Sequence, residues 1–304
     1  MSTPFVESVL AGAILSGTPV LYATLGEVVE ERSGIVNLGL EGVMLMGAVV
    51  GFASTVHSGQ AAIGLLAGAT AGAAVNMIFA YMVITQRANQ LATGLAMMFG
   101  GVGLSALLGA NYIGSRIDGL NPTAVPLLSA LPLLGPLFRA DALVYLAVPT
   151  ALVIWWLLFR TRWGLNVRAV GENPTAAFAA GLSPMRVQYQ ALFLAGFLGG
   201  LAGAHLSVGI AKTWAEWMTA GRGFIAVALV IFSHWHPLRA IVGALVFGGA
   251  IALQLQLQAR GAPVSPFLLD MLPYLLSLAV LLVWGGIRRH AAPASLGRVF
   301  QGTE

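Results

Sequence analysis

The sequence predicts an all-α fold, a polytopic transmembrane helical bundle of about nine spans. Three observations carry that reading. Of the 304 residues, 58% are hydrophobic and 9% charged, with mean hydropathy +0.86. A soluble chain carries roughly 25% charged residues, so this one lacks the polar surface to face water on every side. The apolar residues group into stretches of roughly 20, the length a helix needs to cross the hydrocarbon core. Basic and acidic residues number 15 and 11, a net charge of +4, which argues against a disordered chain and against a nucleic-acid partner.

The spans are read near residues 5–25, 35–56, 61–84, 90–111, 141–159, 187–208, 223–233, 239–258 and 270–286. The seventh is too short to cross alone and must borrow irregular chain on either side. The first segment, MSTPFVESVLAGAILSG, has no basic stretch ahead of its apolar run and does not read as a cleaved signal peptide. The 38 glycines recur through the spans, as in GLLAGATAGAAVN and AGFLGGLAGAH. Small residues there let transmembrane backbones approach closely. Residues 112–140, rich in proline and leucine, read as a partly apolar external loop that docks something or packs on the span ends. Residues 160–186 form an inner loop and 287–304 a tail.

Spans one to four (5–111) resemble spans six to nine (187–286) in layout: a long helix, an irregular polar stretch, a glycine-interrupted span and two more helices. LGLEGVML (Leu38 to Leu45) lies on AGRGFIAV (Ala220 to Val227) with glycines in register, placing Glu41 opposite Arg222. The extra span, 141–159, gives the second block opposite topology. The chain therefore reads as one transmembrane domain of two inverted four-span repeats joined by one span, with interrupted helices. In transporters built this way the substrate path lies at the repeat interface.

Basic residues set the orientation. With the C-terminus cytoplasmic and the N-terminus outside, ten fall inside (Arg32, Arg87, Arg160, Arg162, Arg168, Arg186, Arg239, Arg288, Arg289, Arg298) and five outside (Arg116, Arg139, Lys212, Arg222, Arg260). Trp155, Trp156 and Trp284 then mark inner span ends, and Trp214 and Trp217 an outer one, as an aromatic belt does.

No set of residues is arranged for catalysis. Cysteine is absent, which excludes disulfides, thiol nucleophiles and cysteine-ligated metals. The single lysine, Lys212, follows no glycine-rich loop, so the chain cannot hold ATP phosphates as a P-loop does. His57, His205, His234 and His236 share no ligand spacing with carboxylates, and no metal or cofactor is expected. No serine stands in a nucleophile elbow.

Within the inner loop, GENPTAAFAAGLSP (Gly171 to Pro184) carries the signals of one short helix. Asn173 can cap it, Pro174 suits the first helical position, and Gly181 suits a left-handed C-terminal cap. Such a helix either inserts into a groove of another protein or is a connector on the membrane surface. Polar residues inside apolar spans are candidate path residues, because burying them in lipid without partners is costly. They are Asn37 and Glu41 in the first interrupted segment, Asn76, then Asn89, Gln90 and Thr93, the late Gln254, and Arg222 and Phe224 in the second interrupted segment. The alternative for each is interhelical hydrogen bonding alone, and Glu41 with Arg222 is also readable as an ion pair. Amides with one aromatic ring suit a neutral polar solute bearing hydroxyls and a base.

Three motifs carry a family resemblance. RAVGENPTAAFAAGLSP after the basic GLNVR stretch resembles the cytoplasmic coupling loop of bacterial ABC importer permeases of the ribose, branched-chain amino acid and nucleoside type. GEVVEERSGIVNLGLEGVMLMGA (Gly26 to Ala48) is similar to the N-terminal signature of the simple-sugar and nucleoside branch, and TAGRGFIAVALVIFSHWHPLRA (Thr219 to Ala240) resembles its second signature. The resemblance implies an importer in the bacterial inner membrane, with this chain as the smaller of two permease subunits. It also implies an ABC ATPase partner meeting Glu172, Asn173, Pro174, Ala177 and Gly181, a second, longer permease, and an extracytoplasmic substrate-binding protein or lipoprotein. The expected cargo is a nucleoside, with ribose or another simple sugar as the alternative. An ion-coupled secondary transporter is the rival class; it is disfavoured because only Glu41, His205 and Arg222 resemble mid-membrane ionisable groups.

Overall fold

The computed structural model describes residues 3–124, 126, 138–261, 264–284 and 292–298. The middle of the external loop, the last residues of the ninth span and most of the tail lie outside these. The architecture is the predicted helical bundle: α1 (Thr3–Arg32), α2 (Leu40–Ser58), α3 (Ala61–Ala80), α4 (Gln90–Gly109), α5 (Ala142–Arg160), α6 (Arg162–Glu172), α7 (Pro174–Ala179), α8 (Pro184–Ala204), α9 (Arg222–Phe232), α10 (Pro237–Ala259), α11 (Pro266–Asp270) and α12 (Leu272–Trp284). Among the described residues, extended pairing is confined to a short hairpin, Thr123–Ala124 against Arg139–Ala140, and two isolated bridges. Seven helices are long and apolar enough to cross a membrane, and Arg222–Phe232 and Phe267–Leu276 are shorter apolar helices. The short seventh span is thus as expected. At about 1.5 Å per residue α9 reaches only about 16 Å, half of a bilayer core.

The helices α1 and α8 pack on each other at the centre. α3 lies along α8 and α10 lies along α1, while α2 rests on α3 and α8 and α9 rests on α1. Exchanging α1 with α8, α2 with α9 and α3 with α10 matches α3 on α8 with α10 on α1, and α2 on α8 with α9 on α1, whereas α9 meets α10 far less than α2 meets α3. Glycine makes the close approaches. A Cβ on Gly72 of α3 would stand 2.4 Å from the Cα of Gly200 on α8, and one on Gly248 of α10 would stand 2.0 Å from the carbonyl oxygen of Ala13 on α1. Lipid offers no hydrophobic drive between helices, so backbone-to-backbone dispersion contact holds these pairs.

Three sequence expectations need correction. The first span is expected near 5–25, yet α1 runs on to Arg32. Its carboxylates Glu27, Glu30 and Glu31 are buried rather than solvated. The inner loop holds a second helix, α6, started by the Thr161 side chain, which accepts the Gly164 N–H. Trp214 is not a belt residue: it is 2% exposed and packs against Gly109. The described part of the external loop packs on the span ends, through bridges from Ile113 to Trp214 and from Arg116 to Thr213.

One end of the bundle collects Arg32, α6, α7, the turn at His234–Pro237 and residues 292–298. There Arg32 Nε donates to the Trp235 carbonyl at 3.0 Å, and the Gly297 N–H donates to the Gly34 carbonyl at 3.1 Å. The other end collects Ser58, Tyr112, Asp141 and Lys212.

Candidate functional site

The bundle's polar centre is built on two interruptions that face each other. The first follows α1. Its last turns carry Glu27, Glu30 and Glu31 at helical spacing, each at most 2% exposed. Beyond Arg32 the chain leaves the helix for Ser33–Gly39, and the exposed backbone groups of this buried stretch must find partners. They do so through side chains. Glu27 Oε1 accepts the Asn37 N–H (3.2 Å), Gln90 Oε1 accepts the Val36 N–H (3.0 Å), Asn37 Oδ1 accepts the Gly39 N–H (2.7 Å), and Gln188 Nε2 donates to the Ser33 carbonyl (3.2 Å). Asn76 of α3 ties the stretch to the acids: its Oδ1 accepts from Asn37 Nδ2 at 2.7 Å, and its Nδ2 donates to Glu30 Oε2 at 2.9 Å and to the Leu192 carbonyl at 2.7 Å. Glu31 Oε2 accepts the Trp235 indole N–H at 2.5 Å. One oxygen each of Glu27 and Glu30 is buried without a hydrogen-bond partner.

The second interruption precedes α9. Left-handed backbone at Trp217, Ala220 and Gly221 (φ +56, +48 and +79°) turns the chain so that α9 begins beside the first turn of α2. Glu41 of that turn is fully buried. It accepts the Thr219 hydroxyl at 2.5 Å, the Gly221 N–H at 2.8 Å and the Gly223 N–H at 2.6 Å. A carboxylate is the natural ligand for the unpaired N–H groups and positive dipole end of a helix. Gly223 has to be glycine, since a Cβ there would lie 2.6 Å from the Glu41 Cα.

The alternative reading of Glu41 and Arg222 as an ion pair is not what the structure has: the two form no salt bridge. Arg222 turns back, donating from one terminal nitrogen to the carbonyls of Met218 (3.2 Å) and Thr219 (3.1 Å). The Thr219 hydroxyl and two backbone N–H groups occupy both oxygens of Glu41 instead.

The predicted path residues therefore divide. Asn37 and Asn76 bond to each other and Gln90 holds the same stretch through Val36, whereas Glu41 is bonded separately to Thr219, Gly221 and Gly223; Arg222 and Phe224 are half-buried at the start of α9. Thr93, also half-buried, neighbours Gly94, which packs against Leu38. Asn89 is exposed and caps α4 by accepting the Ala92 N–H. Gln254 is remote, donating to Asp270 at 2.6 Å. The sequence reading missed Glu27, Glu30 and Glu31. Their signal was present as three acids spaced on one helical face immediately after an apolar run.

The short helix α7 forms as predicted from its caps: Asn173 Oδ1 accepts the Ala176 N–H at 2.9 Å, Pro174 opens it, and Gly181 takes φ +86°. Glu172, Asn173 and Gly181 are exposed and Pro174 is half-buried. Ala177 faces inward, 5% exposed in the main core, so it is not on the outward face; Phe178, 45% exposed, is. At the opposite end of the molecule, Asp141 caps α5 through the N–H groups of Leu143 and Val144 and meets His205 Nε2 at 2.9 Å. Burial raises the Asp141 pKa, but the bond and charge of His205 and the two amides outweigh it, leaving the carboxyl below its usual range. A cavity of about 270 Å³ lined by Leu120, Arg139, Asp141, Gly209 and Lys212 opens beside the pair.

The chain matches the family described as branched-chain amino acid transport system / permease component over residues 9–283. A Haloferax volcanii protein provisionally named as a glucose ABC transporter permease is 38% identical, covering 86% of this chain and 81% of its own length. The guanosine ABC transporter permease NupQ of Bacillus subtilis is 33% identical over 95% of both chains. The nucleoside ABC transporter permease NupC of Lactococcus lactis is 32% identical over 92% of this chain and 93% of its own. With a family match over most of its length and such relatives, the chain belongs to the branched-chain amino acid transport system permease family, as the membrane-spanning permease component of an ABC transporter.

Proposed function

We propose that this chain is one of two permease subunits of an ATP-driven nucleoside importer, and that the solute passes beside the paired interruptions at Ser33–Gly39 and Trp217–Gly221. The observation that carries the path is Glu41 holding the α9 N-terminus to the first turn of α2. Irregular backbone at membrane depth is tolerated where protein buries it or where it lines a cavity, and broken helices recur at transporter binding sites. Arg222 and Phe224, half-buried at this junction, are the groups left to meet a solute: a donor and an aromatic face. Glu27, Glu30 and Asn76 hold Asn37 in the Ser33–Gly39 interruption that leads into α2.

The nucleoside assignment draws on the two relatives named for guanosine and nucleoside transport, which align over more than nine-tenths of this chain. The 38% identical relative named for glucose supports a simple sugar as the second reading. Energy enters through an ABC ATPase at α7, whose exposed Phe178 and caps form a rigid projection. A second, longer permease and an extracytoplasmic substrate-binding protein complete the assembly, with the N-terminus outside and the C-terminus in the cytoplasm.

The test is uptake of labelled guanosine and glucose by cells expressing the full transporter, normalised to permease in the membrane. Guanosine uptake that competes with other nucleosides, and falls severalfold in Phe224→Ala, supports the reading. Glucose uptake without guanosine uptake replaces the cargo, and unchanged uptake in both Phe224→Ala and Arg222→Ala removes the path. Phe178→Asp should abolish copurification of the ATPase while leaving the permease inserted; normal copurification would rule out docking at α7.

A further inference from the structure

After Trp284 the described chain resumes at Ala292, and residues 292–298 lie in a seam between the α6–α7 junction and the start of the first interruption. Apart from two turn bonds within the segment, Leu296 N–H to the Pro293 carbonyl and Arg298 N–H to the Ser295 carbonyl, its hydrogen bonds among the described residues reach one side of that seam or the other. On the α6–α7 side, the Ser295 N–H donates to the Gly171 carbonyl at 3.0 Å and the Ser295 hydroxyl donates to the same oxygen at 2.6 Å. The Ala294 N–H reaches Glu172 Oε2 at 3.4 Å. On the other side, the Gly297 N–H donates to the Gly34 carbonyl at 3.1 Å, and the Arg298 carbonyl accepts from Gln90 Nε2 at 3.4 Å. Gln90 is the residue whose Oε1 holds the Val36 N–H at 3.0 Å.

The fit is close. Ser295 is 6% exposed, Ala292 and Leu296 pack against the main core, and Gly34 (φ +93°) has no room for a side chain because a Cβ would lie 2.5 Å from Ser295 Oγ. Nor could Gly171 carry one, as its Cβ would lie 2.1 Å from the Arg32 carbonyl oxygen. Gly34 and Gly171 thus stand side by side, and the carbonyls of both are taken by the same short segment.

We propose that residues 292–298 are a tie that carries movement of the α6–α7 junction into the Ser33–Gly39 interruption, with Ser295 as its positioning residue. The proposal rests on the docking of an ATPase at α7. A push on α7 displaces Glu172 and Gly171, the paired bonds of Ser295 follow Gly171, and Gly297 and Arg298 pass the shift to Gly34 and, through Gln90, to Val36. The tie makes the conformation of the interruption depend on the nucleotide state of the partner, which is what an energy-coupling linkage has to do.

The chain has no cysteine, so a single Val36→Cys reports on the interruption directly. Its rate of reaction with a small thiosulfonate reagent is compared in the assembled transporter, nucleotide-free and trapped with ATP and vanadate, with Ser295 intact, Ser295→Ala and Ser295→Thr. Trapping should change the rate about fivefold or more with Ser295 intact and in Ser295→Thr, which keeps the hydroxyl. The change should be lost in Ser295→Ala, since a buried hydrogen bond of this kind biases a two-state equilibrium by about that factor. An equal change in Ser295→Ala, or none with Ser295 intact, overturns the proposal. The docking reading is judged separately by Phe178→Asp copurification, so a nucleotide response at Val36 that ignores Ser295 sinks the tie even where docking at α7 stands.

Discussion

The Gly223 N–H donates to Glu41 Oε2 at 2.6 Å, joining backbone and carboxylate across 182 residues of sequence. With Thr219 and Gly221 as further donors, Glu41 does for α9 what an N-cap side chain on the same strand of chain usually does. α9 can therefore begin inside the bundle, where water cannot satisfy its first N–H groups. Glu41→Ala leaves two of these donors buried and unpaired, at about 1–3 kcal/mol each. The expected result is a loss of several degrees or more in thermal unfolding of the detergent-solubilised chain. Glu41→Gln, which keeps one acceptor oxygen, should lose about half as much. An unfolding temperature unchanged in both variants would mean the cap contributes nothing.

The central helix pairs give a sharper stability prediction. Gly72→Val drives a branched side chain into the Gly200 backbone, 2.4 Å from where its Cβ must sit. Overpacking of this kind costs about 1–3 kcal/mol and often more when the obstacle is backbone. The variant should show a sharply reduced yield of folded chain. Gly100→Ala on α4 is the contrast, since nothing lies within 4 Å of its Cβ position. It should be tolerated, with a gain of up to about 1 kcal/mol from helix propensity. Equal folding yields for the two would contradict the close packing of α3 on α8.

Much of this architecture was legible because hydropathy and glycine placement are local signals. The span positions, the short α9 and the caps of α7 at Asn173, Pro174 and Gly181 all follow from residues near one another in sequence. The polar centre was harder to read, because its meaning lies in long-range pairing. Asn76 looked like a path residue, but its three bonds reach Asn37, Glu30 and Leu192, which come from three separate elements. Gln90 likewise spends its amide on Val36 and Arg298. Glu27, Glu30 and Glu31 find their partners at Asn37, Asn76 and Trp235, far along the chain or on other elements, which no local spacing announces. The Asp141–His205 pair spans 64 residues and has no spacing signature at all.

That pair predicts a pH dependence. Asp141 has a depressed pKa in the folded chain, so the unfolded state takes up its proton first as pH falls. Its contribution to stability is fully present above the ordinary aspartate pKa of about 3.9 and is lost as pH falls through the lower folded value. Asp141→Asn removes the contribution. The gap in unfolding temperature between the original chain and this variant should be constant from pH 7 to about pH 5 and narrow below about pH 4. A gap that widens on acidification would reverse the sign and show that burial, not His205 and the amides, controls the carboxyl.

The orientation of the bundle is open to direct labelling. Arg32, Arg168 and Arg298 gather at one end with α6 and α7; the guanidinium groups of Arg32 and Arg168 lie over the Phe159 ring at 5.8 and 5.1 Å, and Arg298 is held by Gln90. Cytoplasmic segments carry the excess of arginine and lysine, so this end should face the cytoplasm. Ser58 belongs to the opposite end, near the bond between His57 and Tyr112 at the outer limits of α2 and α4. In the cysteine-free chain, Ser58→Cys should react with a membrane-impermeant maleimide added to intact cells. Thr175→Cys on α7 should react only after the membrane is opened. The reverse pattern would invert the molecule and put α7 on the side where no ATP is available, removing the energy-coupling role of that helix altogether.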